Sequence, residues 1–183
     1  MCSQARIGSN GQTKAIHILA NLNQTRQQPS WRLLCAHPLH CLSFGLGTGL
    51  SPKAPGTVGT LLGFPLYWLL MTLPLAQQWL GIVLLFLLGI WCCEVTGRAL
   101  GVSDHGAIVW DEVVAMAAVL ITVPLSWGWW LAAFVCFRLF DIWKPFPIRW
   151  VDQHVKGGMG VMLDDALAAL LAVLILQLAQ RVT

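Results

Sequence analysis

Long runs without a single charged residue are the feature that most constrains how this chain folds. The longest covers residues 54–93, and two more cover residues 113–137 and 166–180. A charged side chain at the centre of a bilayer costs roughly 2.5–3.5 kcal/mol on insertion scales, so charge-free apolar runs are typical of membrane segments. The runs therefore predict an all-α, multi-pass helical membrane protein.

The composition agrees with this interpretation. Of 183 residues, 57% are hydrophobic and only 10% are charged, whereas a soluble domain carries about 25% charged residues. The net charge of +3 is small and scattered, which argues against a nucleic-acid partner. The polar residues 1–30 lack the apolar core of a signal peptide, so we expect a flexible tail there and one membrane domain in residues 31–183.

Breaks within the longest run divide it into two segments. Residues 54–93 are interrupted by Pro74 and by two glutamines that follow it. Proline ends helices because it lacks the backbone N–H and fixes φ. The run therefore predicts a hairpin of two short helices, one near residues 60–73 and one near residues 79–93.

The second run allows two topologies. Residues 113–137 contain Pro124 and Gly128 near the middle, so they form either one kinked span or two short, re-entrant helices that turn back. We favour the second alternative because it gathers the polar segments on one face of the membrane. The basic residues before residue 54 have no acid among them, which predicts that this face is cytoplasmic.

The acidic residues are concentrated in one part of the sequence. All eight lie in two polar segments, residues 94–112 and 138–165, and none occurs in the first 93 residues. Each segment lies directly beside an apolar run. Ionisable residues beside membrane segments are expensive to place and are typical of functional sites.

The first acidic segment contains Asp104, His105, Asp111 and Glu112. On a helix, Asp104 and Asp111 would lie two turns apart on one face, and so would His105 and Glu112. Carboxylates grouped at the mouth of a membrane helix suit a hard divalent cation such as Mg²⁺. The alternative is a solvated helix start whose acids interact with the helix dipole. That alternative explains Asp104 better than it explains the pair Asp111 and Glu112.

The second segment carries a repeat of charges. Arg138, Asp141 and Lys144 recur every three residues and predict one face of a helix that Pro145 ends. A surface salt-bridge ladder is the alternative. Because the segment emerges directly from an apolar run, we interpret both bases as binding an anionic substrate. Arg138 would donate two parallel hydrogen bonds to it, and Lys144 would supply a single positive charge.

A glycine-rich stretch, residues 157–160, precedes Asp164 and Asp165. Gly157 and Gly158 let the backbone approach a ligand closely, and the N-terminus of the following helix favours anions. We expect the two aspartates in the first turn of that helix. They act there as an N-terminal cap or, since one acid suffices for a cap, as metal ligands.

A further glycine-rich segment, residues 45–57, precedes the first membrane helix. It matches neither the Walker A pattern nor the dinucleotide-binding fingerprint. Its glycines combine with Ser51, Lys53 and Thr57 to make a predicted phosphate cradle. The alternative is a flexible connector.

Four segments in a fixed order, GLGTGLSPKAPGTVGT, DHGAIVWDEVV, FRLFDIWKPFPIRWVD and GGMGVMLDD, resemble the phosphatidylglycerophosphatase A family. The resemblance extends from about residue 31 to the C-terminus. It implies an all-helical, Mg²⁺-dependent phosphatase of the bacterial inner membrane. Such an enzyme converts phosphatidylglycerophosphate, a phospholipid in the bilayer, to phosphatidylglycerol and inorganic phosphate.

The resemblance and the chemistry of phosphate esters together assign roles to the segments. Hydrolysis of a phosphate monoester calls for charge neutralisation and a positioned nucleophile. The predicted catalytic residues are Asp104, His105, Asp111, Glu112 and Asp141, with His105 as proton donor to the leaving group. The predicted metal ligands are Asp111, Glu112, Asp164 and Asp165. The predicted phosphate-binding residues are Ser51, Lys53, Thr57, Arg138, Lys144, Gly157 and Gly158.

Two other classes of protein remain open at this point. An ion-coupled or substrate-binding transporter also uses broken helices and glycine loops around an acidic site, although no internal repeat is visible in the sequence. A structural scaffold for phospholipid enzymes would have no activity.

Overall fold

In the computed structural model, residues 28–102 and 104–182 are described, and all the regular structure in them is helical. The predicted all-α fold is confirmed. Most of the predicted tail, residues 1–27, lies outside the described residues. In chain order the helices are α1 (Trp31–Ala36), α2 (Pro38–Ser43), a 3₁₀ helix (Gly45–Leu50), α3 (Pro55–Leu70), α4 (Leu75–Leu100), α5 (Trp110–Ile121), α6 (Trp127–Trp143), α7 (Ile148–His154) and α8 (Gly157–Gln180).

Two of the described helices are long and apolar enough to cross a membrane. α4 has 26 residues and α8 has 24. At 1.5 Å per residue they extend about 39 and 36 Å, which exceeds the roughly 30 Å of a hydrocarbon core. This matches the prediction of a helical membrane protein. α3 and α6 are shorter, with 16 and 17 residues.

α3 and α4 both begin earlier than predicted, and α4 also ends later. α3 begins at Pro55, whose fixed φ suits the first helical position and whose missing N–H would have no partner there. α4 continues through the first acidic residue to Leu100, with Glu94 and Arg98 paired one turn apart at 2.8 Å. Gly101, in the left-handed conformation with φ 70°, ends it.

The second apolar run turns back on itself. Glu112 in the first turn of α5 and Arg138 near the end of α6 form an ion pair, with Nη1 and Oε1 2.9 Å apart. Residues 26 apart in the sequence can meet at these positions only when the two helices run antiparallel. Pro124 lies in the connecting turn. Of the two topologies left open, the pair of short helices is therefore confirmed.

All eight carboxylates lie at one end of the helices, which we call the polar end. α3, α5 and α8 begin there, and α4 and α6 end there. Two contacts tie these helix ends together: the Gly158 N–H donates to Glu94 at 2.8 Å, and Lys144 donates to Asp164 at 2.6 Å. At the opposite end, the Gln177 amide donates to the Thr122 carbonyl at 2.6 Å.

Small residues allow the helices to pack closely. α3 packs against α5, and a Cβ added at Gly63 would lie only 2.6 Å from the Met116 Cβ. Met116 is fully buried, so it has no room to move away. The approach of α3 to α5 thus depends on glycine at this position.

We expect Gly63→Ala to lower the free energy of unfolding by about 1–3 kcal/mol, because the added methyl group overpacks the interface with Met116. Gly128 in the first turn of α6 is the matched control, since the atom nearest to an added Cβ there is Ser126 Oγ at 3.9 Å. Thermal unfolding in detergent micelles measures both variants. Equal midpoints for Gly63→Ala and Gly128→Ala would contradict the packing argument.

Candidate active site

A cleft of about 330 Å³ opens at the polar end. It lies between the starts of α3, α5 and α8 and the end of α6. Its charged lining residues are six acids (Asp104, Asp111, Glu112, Asp141, Asp164 and Asp165) and two bases (Arg138 and Lys144). With every group ionised, the cleft holds four more negative than positive charges. An excess of this size is offset by protonation of some of these carboxyl groups or by a further cation.

Three of these acids form a compact group, which we call the three-aspartate cluster. One carboxylate oxygen of each of Asp111, Asp164 and Asp165 lies within 4.8 Å of the others. Asp111 comes from the first turn of α5, and the other two come from α8, which packs against it. Asp164 and Asp165 are only 5% and 3% exposed.

Several carboxylate oxygens in the cleft are buried and have no hydrogen-bond partner among the described residues. They are Asp111 Oδ1, Glu112 Oε2 and Asp165 Oδ2. A buried polar atom that lacks a partner costs free energy, and a carboxylate costs more than a neutral group. Oxygen donors of this type are the ligands of hard divalent cations such as Mg²⁺. The donor set and the unpartnered oxygens therefore fit the predicted metal.

Arg138 links three helices. Its Nη1 donates to Glu112 on α5, to Asp141 one turn along α6, and to the Thr60 hydroxyl of α3 at 3.4 Å. Thr60 in turn donates its own proton to the Gly56 carbonyl at 2.9 Å. The guanidinium is thus held in one position, and its buried Nε has no partner within residues 28–102 and 104–182. The predicted helical face of Arg138 and Asp141 is observed.

Lys144 follows the last residue of α6 in the left-handed conformation, with φ 45°. Pro145 prevents the helix from continuing. The Lys144 Nζ donates to Asp152 at 2.8 Å and to Asp164 at 2.6 Å. Burial by itself lowers the pKa of Lys144, but the two ion pairs outweigh it and hold the pKa above its ordinary value. The side chain therefore stays charged at neutral pH.

The segment before α5 differs from the prediction. Residues 104–109 are not helical, so Asp104 does not share a helical face with Asp111, nor does His105 with Glu112. The prediction of a helix there is wrong because the Val109 N–H donates instead to the Ser43 carbonyl of α2, at 2.9 Å.

The loop nevertheless brings Asp104 to the cleft. His105 lines a separate hollow of about 480 Å³ together with Ser51. Its Nδ1 accepts a hydrogen bond from the Ala107 N–H at 3.1 Å.

The start of α8 is also earlier than predicted. The helix begins at Gly157, so Asp164 and Asp165 lie two turns inside it and not in its first turn. The N-terminal-cap alternative for these aspartates is therefore wrong. Glu94 of α4 partners the start of α8 instead, because its carboxylate accepts from the Gly158 N–H. A phosphate bound by Gly157 and Gly158, as predicted, would therefore have to compete with the Glu94 carboxylate for the Gly158 N–H.

The predicted phosphate cradle contributes its backbone to the cleft. Ala54, Pro55 and Gly56 line the cleft. Lys53 is exposed, and its carbonyl accepts from the Ser51 hydroxyl at 2.9 Å. The other hydroxyl residue, Thr57, is half-buried in the first turn of α3. Ser51, Lys53 and Thr57 are not among the residues that line the cleft, and their role in phosphate binding stays a prediction.

Three polar residues near the cleft were not predicted to take part. Thr60 contacts Arg138, Asp152 pairs with Lys144, and Glu94 binds the start of α8. The confinement of all eight acids to two segments was a usable signal for Glu94 and Asp152. For Thr60 the only signal is a hydroxyl within a charge-free run.

The helices and the cleft define a helical membrane protein with a buried acidic site at one end. The sequence profile of the family named Phosphatidylglycerophosphatase A matches residues 41–180, and the chain belongs to this family. It is therefore an enzyme, a phosphatase, which confirms the predicted class over a transporter or an inactive scaffold.

Relatives from several bacteria support the assignment. The proteins named Phosphatidylglycerophosphatase A from Escherichia coli (strain K12) and Haemophilus influenzae are 44% identical over 142 residues and 46% identical over 153 residues. These matches cover 77% and 82% of this chain, and 83% and 94% of the relatives. A relative from Bacteroides thetaiotaomicron, with the provisional name phosphatidylinositol-3-phosphatase, is 39% identical over 146 residues, which are 75% of this chain and 91% of that protein. No solved structure matches the chain.

We expect Arg138→Met to destabilise the fold by about 3–5 kcal/mol, because it leaves the carboxylates of Glu112 and Asp141 buried without their partner. Arg98→Met is the matched control. Its side chain is 79% exposed, and an exposed ion pair contributes at most about 1 kcal/mol. Thermal unfolding in detergent measures both. If the two variants lost the same stability, the buried ion pair would not hold the helix ends together.

Proposed function

We propose that this chain hydrolyses phosphatidylglycerophosphate to phosphatidylglycerol and inorganic phosphate, and that the reaction depends on Mg²⁺. The names of two relatives support the substrate. The observation that carries the metal dependence is the excess of carboxylates in the cleft. A phosphate monoester dianion is repelled by such a cleft until a divalent cation has offset the excess charge.

The residues best placed to hold the metal are Asp111, Asp164 and Asp165, with Glu112 beside them. When bound, Mg²⁺ supplies a Lewis acid for a phosphoryl oxygen and lowers the pKa of a coordinated water. Arg138 and Lys144 face the same cleft and offset the charge of the phosphate oxygens.

His105 is the protein group proposed to deliver a proton to the leaving glycerol oxygen. Because the His105 Nδ1 accepts from a backbone N–H, a neutral imidazole carries its proton on Nε2. The loop of residues 104–109 lies at the polar end, and Asp104 in it reaches the cleft. A displacement of this loop is needed to bring His105 from the neighbouring hollow to the substrate.

The distribution of basic residues supports a cytoplasmic site in a bacterial inner membrane. Seven described basic residues lie at the polar end, namely Arg32, Lys53, Arg98, Arg138, Lys144, Arg149 and Lys156. Among the described residues the opposite end has only Arg181, just after α8. Positive charge marks the cytoplasmic side of membrane proteins. We therefore propose that the five longest helices, α3, α4, α5, α6 and α8, lie in the membrane, with the polar end in the cytoplasm and the turn between α5 and α6 at the opposite end.

Exposed tryptophans support the same placement. Trp127 and Trp143, at the two ends of α6, are 81% and 71% exposed. Sixteen helical steps of 1.5 Å separate them by about 24 Å, somewhat less than the roughly 30 Å of a hydrocarbon core. Tryptophan is enriched at both membrane–water interfaces. α6 therefore extends most of the distance between the two interfaces, with an exposed tryptophan at each end.

Two single-cysteine variants test this topology in a background without the six native cysteines. Leu125, in the turn between α5 and α6, is 65% exposed, and Phe146, at the polar end, is 83% exposed. We expect Leu125→Cys to react with a membrane-impermeant maleimide in intact spheroplasts, and Phe146→Cys to react only after permeabilisation. Labelling of both positions from the same side would overturn the arrangement.

Substitution of the cluster tests the metal assignment. We expect Asp111→Asn and Asp165→Asn each to lower Mg²⁺-dependent phosphate release from phosphatidylglycerophosphate by about 100-fold or more, the scale for loss of a group that stabilises transition-state charge. Calorimetric titration with Mg²⁺ alone should show weakened binding in both. Arg98→Met, distant from the cluster, is the control for activity. Full Mg²⁺-dependent activity in both aspartate variants would refute the assignment.

A further inference from the structure

An apolar groove of about 210 Å³ lies between α4, α5 and α8. Eleven of its twelve lining residues are apolar, and the twelfth is Asp111. Asp111 also lines the polar cleft and belongs to the three-aspartate cluster. The groove and the cleft therefore meet at one carboxylate.

The groove runs along the helices away from the polar end, and on α4 its lining reaches Trp79, close to the opposite end. On α5 its lining extends from Asp111 to Ala118, and on α8 from Met162 to Val173. At 1.5 Å per residue these stretches are about 10 and 16 Å long. One leaflet of hydrocarbon is about 15 Å thick, half of the 30 Å core. The groove is thus about as long as one leaflet is thick.

The shape of the groove follows from the size of the side chains. Ala115 and Ala118 of α5, Ala166 and Ala169 of α8 and Phe86 of α4 all line it. Small residues on two adjacent helices leave space that the third helix does not fill. An apolar cavity of about 150 Å³ is large enough to take up benzene. The groove is larger and elongated, which suits a hydrocarbon chain.

We propose that this groove holds one acyl chain of the lipid whose phosphate is hydrolysed in the cleft. The inference rests on the proposed function. It adds a way for the enzyme to distinguish a lipid phosphate from a soluble phosphate ester. A lipid with its phosphate beside Asp111 has its glycerol at the junction of cleft and groove. Its acyl chain then follows the helices toward the middle of the bilayer.

The groove contributes orientation and not hydrophobic transfer energy. A chain that moves from surrounding lipid into an apolar groove exchanges one apolar environment for another, so little free energy is gained. Holding the chain fixes the distance and angle between the phosphate and the cluster, and positioning of this kind lowers the barrier to reaction. The groove should therefore affect kcat/KM for long-chain lipids far more than for short-chain analogues.

Filling the groove tests the proposal. Val173→Phe and Ala118→Leu each place extra carbon atoms in it, and Val135→Phe is the matched control because Val135 is 56% exposed on α6, away from the groove. We expect both filled variants to lose about 10-fold or more in kcat/KM on dioleoyl phosphatidylglycerophosphate. Activity on the dihexanoyl analogue should stay within about 2-fold, because six-carbon chains occupy less of the groove. Val135→Phe should match the unsubstituted enzyme on both lipids.

Crosslinking gives a second readout that does not require turnover. Phosphatidylglycerophosphate with a diazirine near the end of one acyl chain should crosslink to the stretch of α8 around Val173 in preference to the exposed face of α6 around Val135. Two results would refute the acyl-chain site. One is an equal loss of activity on both lipids, or no loss on either, in the folded Val173→Phe and Ala118→Leu variants. The other is a set of crosslinks spread evenly over the exposed helices. Crosslinks in the groove without any phosphate release would refute the proposed hydrolysis but still support binding of the acyl chain in the groove.

Discussion

The concentration of carboxylates at one end of the helices is the constraint on which the rest of the structure depends. Lipid is as apolar as a protein core, so burial of apolar side chains gives little preference for one arrangement of membrane helices over another. Polar contacts supply that preference here. Arg138 joins α3, α5 and α6, Lys144 joins α6 to α8, and Glu94 joins α4 to α8. The groups that form the site therefore also hold the helix ends in register.

The topology could be predicted from the sequence because it follows from properties that the sequence displays directly. Charge-free runs mark the segments that enter lipid, and Pro124 marks the point where one of them turns. Gathering the acids on one face then requires the α5–α6 hairpin, which the Glu112–Arg138 ion pair confirms. The hairpin could therefore be predicted without knowledge of any contact between residues distant in the sequence.

Helix boundaries near the site could not be predicted, because partners distant in the sequence set them. Residues 104–109 have the composition of a helix start, but Ser43 binds the backbone of this segment. α8 begins at Gly157 because Glu94, 64 residues away, binds its second N–H. Thr60 and Asp152 were missed for the same reason. The three aspartates were predicted to bind metal because their residue type decides that chemistry, and the structure brings them together.

One feature of the α5–α8 contact explains both the cluster and the groove. Asp111 and Asp165 can approach only if the two helices lie close together, and close approach requires small side chains where they meet. Ala115 follows Asp111 by one turn, and Ala166 follows Asp165 directly. The same alanines leave unfilled space beside α4. A larger side chain at either position would therefore both separate the aspartates and fill the groove, so the proposed metal site and the proposed acyl-chain site depend on the same small residues.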